Sequence, residues 1–339
     1  QQLPHVDLSE EIKTVVTSNM SNVVAKSKEY YQTDETALDF LGIYDLSIKN
    51  VPKIDFPTLL GETSEKLIAS SYGLSEAEFG ELQLDLQQAV SLRKKQESEP
   101  EEELMKSSAF KYLSYLVGCA FMRWTNESVS LVRDKDIYAE LPPNSPVFNC
   151  DKSEEYIFSK GLADLDSNKS LIKLVEKSSK FDSVLVANAF SMLNVNNWKE
   201  FLSKPSKFFD YHYNQYSQNR RYAPIYWPLQ TFSGSFTVLV YYHRINNQTL
   251  LSCTNDFIEP KLDDVTTELF TLQSESTRSA ADEKLIDILS DLKVELESLR
   301  DECLRLAKFW QPNLNDGVQI SAAPLWRLFQ HKTWRKKLK

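Results

Sequence analysis

Apolar residues at Leu8, Ile12, Val15, Val16 and Met20 form one stripe across residues 7–26. That spacing predicts an amphipathic helix. The segment 41–61 carries two prolines and mixed polarity and reads as a connector. Ser75 followed by Glu78 is a capping-box pattern, so a helix is expected to start there and run through the "LRKK" that ends at Lys95. An acidic turn at Glu99–Glu103 leads into a third helix, Leu104–Trp124. Acids at that end suit the helix dipole. This helix is apolar nearly all round, which predicts burial on several sides.

Residues 125–152, with "ELPPNSP", read as a linker, and 153–182 as charged helix. More helix is expected over 184–202, broken near Asn194–Asn197, followed by the polar-aromatic run "KPSKFFDYHYNQYSQNRR". Two strands, 225–229 and 236–245, are joined through "FSGS". Asn246 and Asn247 tolerate positive φ and are expected to turn a second hairpin onto Thr249–Cys253. Nearer the C-terminus, Leu285, Leu289, Leu292, Leu296, Leu299, Cys303, Leu306 and Trp310 alternate four and three apart. This is a heptad seam of about three and a half repeats. Leu262, Val265, Leu269 and Leu272 repeat the spacing upstream, and "QSESTRSAADE" interrupts it, with Ser279 as a helix cap. An antiparallel helical hairpin fits best, because the two seams satisfy each other; an intermolecular coiled coil is the alternative.

These elements predict an α+β fold, mostly α-helical. Two regions are expected: a helical connector region over 1–135 and a C-terminal module over 136–339. The module would hold a β-hairpin at about 223–254, the helical hairpin at about 260–310 and a basic tail, 327–339.

Composition narrows the classes. With 42% hydrophobic and 12% aromatic residues the chain can build real cores. Only eight glycines, and no GxGxxG or GxxxxGK[ST], argue against a nucleotide-binding loop. No apolar run reaches about 18 residues, so no membrane span or membrane partner is expected. The start, "QQLPHVDLSEEIKTVV", has neither basic nor apolar signal regions and begins almost inside a helix. It reads as part of a longer protein. Cys119, Cys150, Cys253 and Cys303 form no Cys-x-x-Cys pair, and His5, His212, His243 and His331 are scattered. Reduced buried thiols in a cytoplasmic protein are the expectation, with no zinc site.

The charge of −9 is uneven. Residues 327–339 hold six Lys/Arg and no acid, and 199–221 hold five basic residues against two acids. With these segments (+6 and +3) set aside, the remainder carries −18. An acidic body with two basic patches can touch phosphates locally while avoiding wholesale nucleic-acid wrapping. In the first patch, Lys204, Lys207, Arg220 and Arg221 stand beside Tyr211, Tyr213 and Tyr216. Cations on extended backbone beside aromatic rings suit phosphate contact with base stacking. In the second, Lys332, Arg335 and Lys336 are the candidate contacts. A solvated helix end accounts for them equally simply. Tyr226, Trp227, Phe232, Phe236, Tyr241 and Tyr242 read as core filling.

Catalytic signals are missing. Gly-x-Ser-x-Gly does not occur, and the Pro142–Pro143 pair is followed by Asn144 and Ser145 rather than an aromatic residue. Asp134 and Asp136 flank Lys135 without the Glu-x-Lys of a nuclease. The chain reads as non-catalytic, with no cofactor of its own.

Four blocks carry a family resemblance: "YLVGCAFMRW" (115–124), "RRYAPIYWPLQTFSGSFTVLVYYHRI" (220–245), "TNDFIEPKL" (254–262) and "LNDGVQISAAPLWRLFQHKTW" (314–334). In this order they resemble the C-terminal half of PglX-like adenine-specific DNA methyltransferases of BREX phage defence, and related restriction-modification and DISARM methylases. Met122 departs from the glycine usual in that family, and Thr125 stands near an expected acid. The resemblance implies an N6-adenine methyltransferase assembly in a bacterial cytoplasm. S-adenosylmethionine would belong to an upstream catalytic domain, and double-stranded DNA, that domain or other defence proteins would be the partners. This chain would engage DNA and support specificity. The alternative is an interaction scaffold in a defence complex without DNA contact; a cryptic nuclease is a distant third.

Overall fold

The computed structural model describes residues 8–31, 34–35, 46, 62–94, 101–121, 123, 157, 160–167, 169–177, 181–218 and 221–339. The expected linker 125–152, the 135–136 boundary, Asp134, Asp136, Pro142–Pro143, Cys150, Met122, Thr125 and nearly all of 41–61 lie outside them. The fold is α+β and mostly α-helical, with one small three-stranded antiparallel sheet. The chain divides into two compact units, residues 1–111 and 112–339.

In the first unit, α1 (Glu10–Tyr31) packs on α2 (Glu62–Ser71), and α2 on α3 (Glu76–Lys94). α2 lacks the long apolar stripe that made α1 legible in the sequence. Ser75 and Glu78 close the expected capping box at the start of α3: Glu78 Oε2 accepts from the Ser75 N–H at 2.9 Å and from its hydroxyl at 2.7 Å. These bonds lower the Glu78 carboxyl below its ordinary range.

α4 (Glu101–Ala120) crosses the division between the units. Residues 112–121 are all buried, as the apolar circumference requires. The expected charged helix at 153–182 is only partly present. β1 (Leu162–Ala163) interrupts it before α5 (Leu171–Lys177). Gly161 makes the entry to β1, at φ +64°; a Cβ there would meet Arg244 Cβ at 2.5 Å. α6 (Ser183–Leu193) and α7 (Trp198–Ser203) break where the asparagines lie. Asn194 takes the left-handed cap of α6, and Asn197 Oδ1 caps α7 by accepting from the Glu200 N–H at 2.8 Å. A wide turn, Pro205–Phe209, leads into α8 (Asp210–Gln215).

β2 (Ser217–Gln218) pairs with β3 (Arg221–Tyr222), and β4 (Tyr226–Gln230) with β5 (Thr237–Tyr241). The larger sheet runs β1-β5-β4, with Tyr226 opposite Tyr241 and Leu162 opposite Val240. Pro228 is tolerated because β4 is an edge strand. Every residue of β4 and β5 is buried, so the sheet lacks the alternation of a one-sided ribbon. Of the six rings read as core filling, five are buried. Phe232 is the correction: at the hairpin tip it is 82% exposed, because the turn carries it beyond the sheet.

The second hairpin is also corrected. Asn246 starts a helix instead: its Oδ1 accepts from the Gln248 N–H at 2.8 Å, and its own N–H donates to Thr249 Oγ1 at 2.9 Å. α9 (Thr249–Cys253) follows and runs through residues 254–258 into α10 (Glu259–Ser274). α10 and α11 (Ala280–Ala307) form the expected helical hairpin. Ser279 and Asp282 cap α11 reciprocally, at 3.2 and 2.7 Å. Leu262, Val265 and Leu269 on one side and Leu289, Leu296, Leu299, Cys303 and Leu306 on the other are buried. The short helix α12 (Val318–Ala322) and a tight turn, Ala323–Leu328, precede the terminal helix α13 (Lys332–Leu338).

Candidate nucleic-acid interface

α13 has the sequence KTWRKKL, and its spacing separates anchor from charge. Trp334 and Leu338, four apart, are buried. Lys332, Lys336, Lys337 and Lys339 are exposed. The helix is fixed at its start by His331, whose Nδ1 accepts from the Trp334 N–H at 3.2 Å. With Nδ1 accepting, Nε2 carries the proton and donates to Asp210 Oδ1 at 3.0 Å. His331 thereby joins α13 to α8.

Aromatic faces hold several of the cations. Around Trp326 stand Arg327 at 5.3 Å, Arg335 at 5.6 Å and Lys339 at 4.3 Å from the ring centroid. Lys337 Nζ lies 4.5 Å from the centre of Tyr222, whose side-chain hydrogen bonding holds the ammonium above its ordinary range. Among the described residues none of Arg327, Lys332, Arg335, Lys336, Lys337 and Lys339 forms an ion pair with a carboxylate. Their charge faces outward, and Lys336 and Lys337 complement the negative end of their own helix.

The first basic patch divides. Lys204 pairs with Glu200 at 2.6 Å, and that hydrogen bond, with the Asn196 N–H, draws the Glu200 carboxyl down to about 2. Lys207 donates to the Leu193 carbonyl at 3.0 Å, capping the end of α6. Tyr213 is buried and stacks on Tyr222 at 5.7 Å and 7°, with Trp334 5.8 Å away. Tyr216 has His212 at 4.5 Å and the Arg123 guanidinium at 5.5 Å. Tyr211 is half-buried. The rings of Tyr213 and Tyr216 are therefore packing surfaces rather than open platforms for bases. Arg220 lies outside the described residues, and Arg221 is described as the backbone of β3.

Folding does bring one part of the first patch to the second. Tyr222, next to Arg221 on β3, touches Lys337 of α13 across 115 positions of sequence. Tyr213, Tyr222 and Trp334 form the joint. Sequence reasoning named Lys332, Arg335 and Lys336 as candidates but did not name Tyr222 and Trp326, the rings beside the cations. Tyr222 has its cation 115 positions away, and of the three cations around Trp326 only Arg327 is its neighbour in sequence.

Among the described residues no three or more His, Cys, Asp or Glu side chains are grouped to hold a metal. None of their helices is long and apolar enough to cross a membrane. The described thiols Cys119, Cys253 and Cys303 are buried and form no disulfide among the described residues. Burial raises Cys253 well above its ordinary range and pushes Cys303 up to about 12, so neither is a ready nucleophile. No family model matches the chain, and no curated protein matches it significantly.

Proposed function

We propose that this chain is a non-catalytic, DNA-engaging module that holds the phosphate backbone through α13 and β3. The observation carrying the reading is the Lys337–Tyr222 contact, which brings β3 to a helix whose exposed cations have no carboxylate partners among the described residues. Phosphate contacts fix register and orientation, leaving base chemistry to another domain. On the four sequence blocks given above, that domain is an N6-adenine methyltransferase of the PglX-like, phage-defence type. It would supply the S-adenosylmethionine site.

The test is duplex binding by anisotropy across a salt series. Arg221→Ala, Lys336→Ala and Lys337→Ala together are expected to weaken binding and to lower the salt slope by about 0.9 for each phosphate no longer neutralised. An unchanged slope would remove this role.

The scaffold reading keeps one observation of its own. Phe270 and Ile288, on opposite arms of the helical hairpin, are 73% and 62% exposed. A stable dimer on gel filtration together with no duplex binding would favour it over the first.

A further inference from the structure

The outer face of α11, the tip of the β4–β5 hairpin and the segment 327–335 enclose a groove of about 810 Å³. That volume suits a small organic ligand. One wall is apolar, with Val294 and Leu328, and Phe232 stands at the tip. Phe232 has no ring partner among the described residues, so its face is open to a planar group.

The polar groups are of two kinds. Three carboxylates line the groove, and each is already engaged. Glu302 takes both Nε and Nη2 of Arg305 at 2.7 Å, Glu295 takes the Ser233 N–H and hydroxyl at 3.1 and 2.6 Å, and Asp301 takes Arg300 at 2.9 Å. Arg327 and Arg335 have no carboxylate ion-pair partner among the described residues, and both line the groove. Gln230, also on the lining, is 2% exposed. Its Nε2 donates to the Ser203 carbonyl at 2.6 Å and to Thr237 Oγ1 at 2.9 Å. Its Oε1 is a buried acceptor with no partner among the described residues. That oxygen is shut off from the groove as it is from solvent, so no ligand donor reaches it.

We propose that this groove binds one nucleotide, with its base on Phe232 and its phosphate on Arg327 and Arg335. The nucleotide is either free or an unstacked residue of a DNA strand. The second source rests on the DNA-engaging reading above; the first does not. The groove is separable from that reading through Phe232, on the β4–β5 hairpin, and Arg327, ahead of α13; of the groove's residues only Arg335 lies on an element of the proposed duplex contacts.

The experiment uses the full chain and three probes: adenosine 5′-monophosphate by calorimetry, a fully paired duplex, and the same duplex with one unpaired adenine. Phe232→Ala and Arg327→Ala alter exposed side chains, so the fold is retained. Each is expected to weaken monophosphate binding about tenfold, within the range of a base–aromatic stack or a charged contact. A preference for the unpaired duplex that Phe232→Ala erases, with fully paired affinity unchanged, assigns the strand as source. Monophosphate binding without that preference assigns a free nucleotide. Loss of paired-duplex binding in Lys336→Ala, with monophosphate binding intact, leaves the groove standing whatever becomes of the second source. The proposal is overturned if neither the monophosphate nor the unpaired adenine is preferred, if Phe232→Ala changes nothing, or if an acidic, aromatic peptide binds there while the monophosphate does not.

Discussion

His212 shows how much one side chain can carry. It is fully buried, and its Nε2 accepts from the N–H groups of Ile225 and Tyr226 at 2.9 and 3.2 Å, tying α8 to the start of β4. An imidazole that accepts at Nε2 is neutral there. Burial first, and the Arg123 charge second, hold its pKa well below the ordinary 6.5. Below about pH 6.5 the unfolded chain binds protons that the folded chain refuses, so stability is complete above that pH and falls as pH drops. Urea unfolding at pH 7.5 and 5.5 is expected to show a lower midpoint at 5.5. His212→Leu should cost about 2–4 kcal/mol at pH 7.5, because two buried donors lose their acceptor, and should reduce the loss between the two pH values. An equal loss in both proteins would assign the pH dependence elsewhere. In the sequence His212 was one of four scattered histidines. Its role depends on backbone groups 13 and 14 residues onward, which no local pattern announces.

At the scale of elements, periodicity carried furthest where an apolar stripe was long. The seam from Leu285 to Trp310 predicted α11, and its partner seam predicted the antiparallel arm. Leu296→Ala is expected to destabilise by about 2–5 kcal/mol, whereas Ile288→Ala on the exposed face should stay within about 0.5 kcal/mol. Comparable losses on chemical denaturation would mean the seam is not the buried face. Periodicity failed where residues were few. Thr249–Cys253 is apolar and short, and five such residues suit strand or helix equally. The Asn246 side chain decided it, by accepting the Gln248 N–H and shaping a helix start. Helix α2 was missed for the same reason, since its ten residues are too few for a stripe to repeat.

For the whole molecule, the basic face depends on a buried ring. Trp334 is completely buried, and it meets Tyr213 and Phe329 at 5.8 and 6.2 Å. Trp334→Ala is expected to cost about 3–5 kcal/mol and to weaken duplex binding as α13 loosens, while Lys336→Ala should weaken binding without lowering the unfolding midpoint. If Trp334→Ala binds duplex normally, the cations do not need α13 in place. The sequence by itself determined the mostly helical α+β class, the caps at Ser75 and Ser279, the heptad hairpin and the unevenness of charge. These follow from spacing and side-chain chemistry within a few turns of chain. The tertiary structure alone decided which basic residues are engaged internally and which face outward. It also decided that Tyr222 and Lys337 become neighbours and that Phe232 and Arg327 line one groove. Such choices depend on meetings between distant segments, where burial and hydrogen bonding set the outcome and local spacing holds no record of the partner.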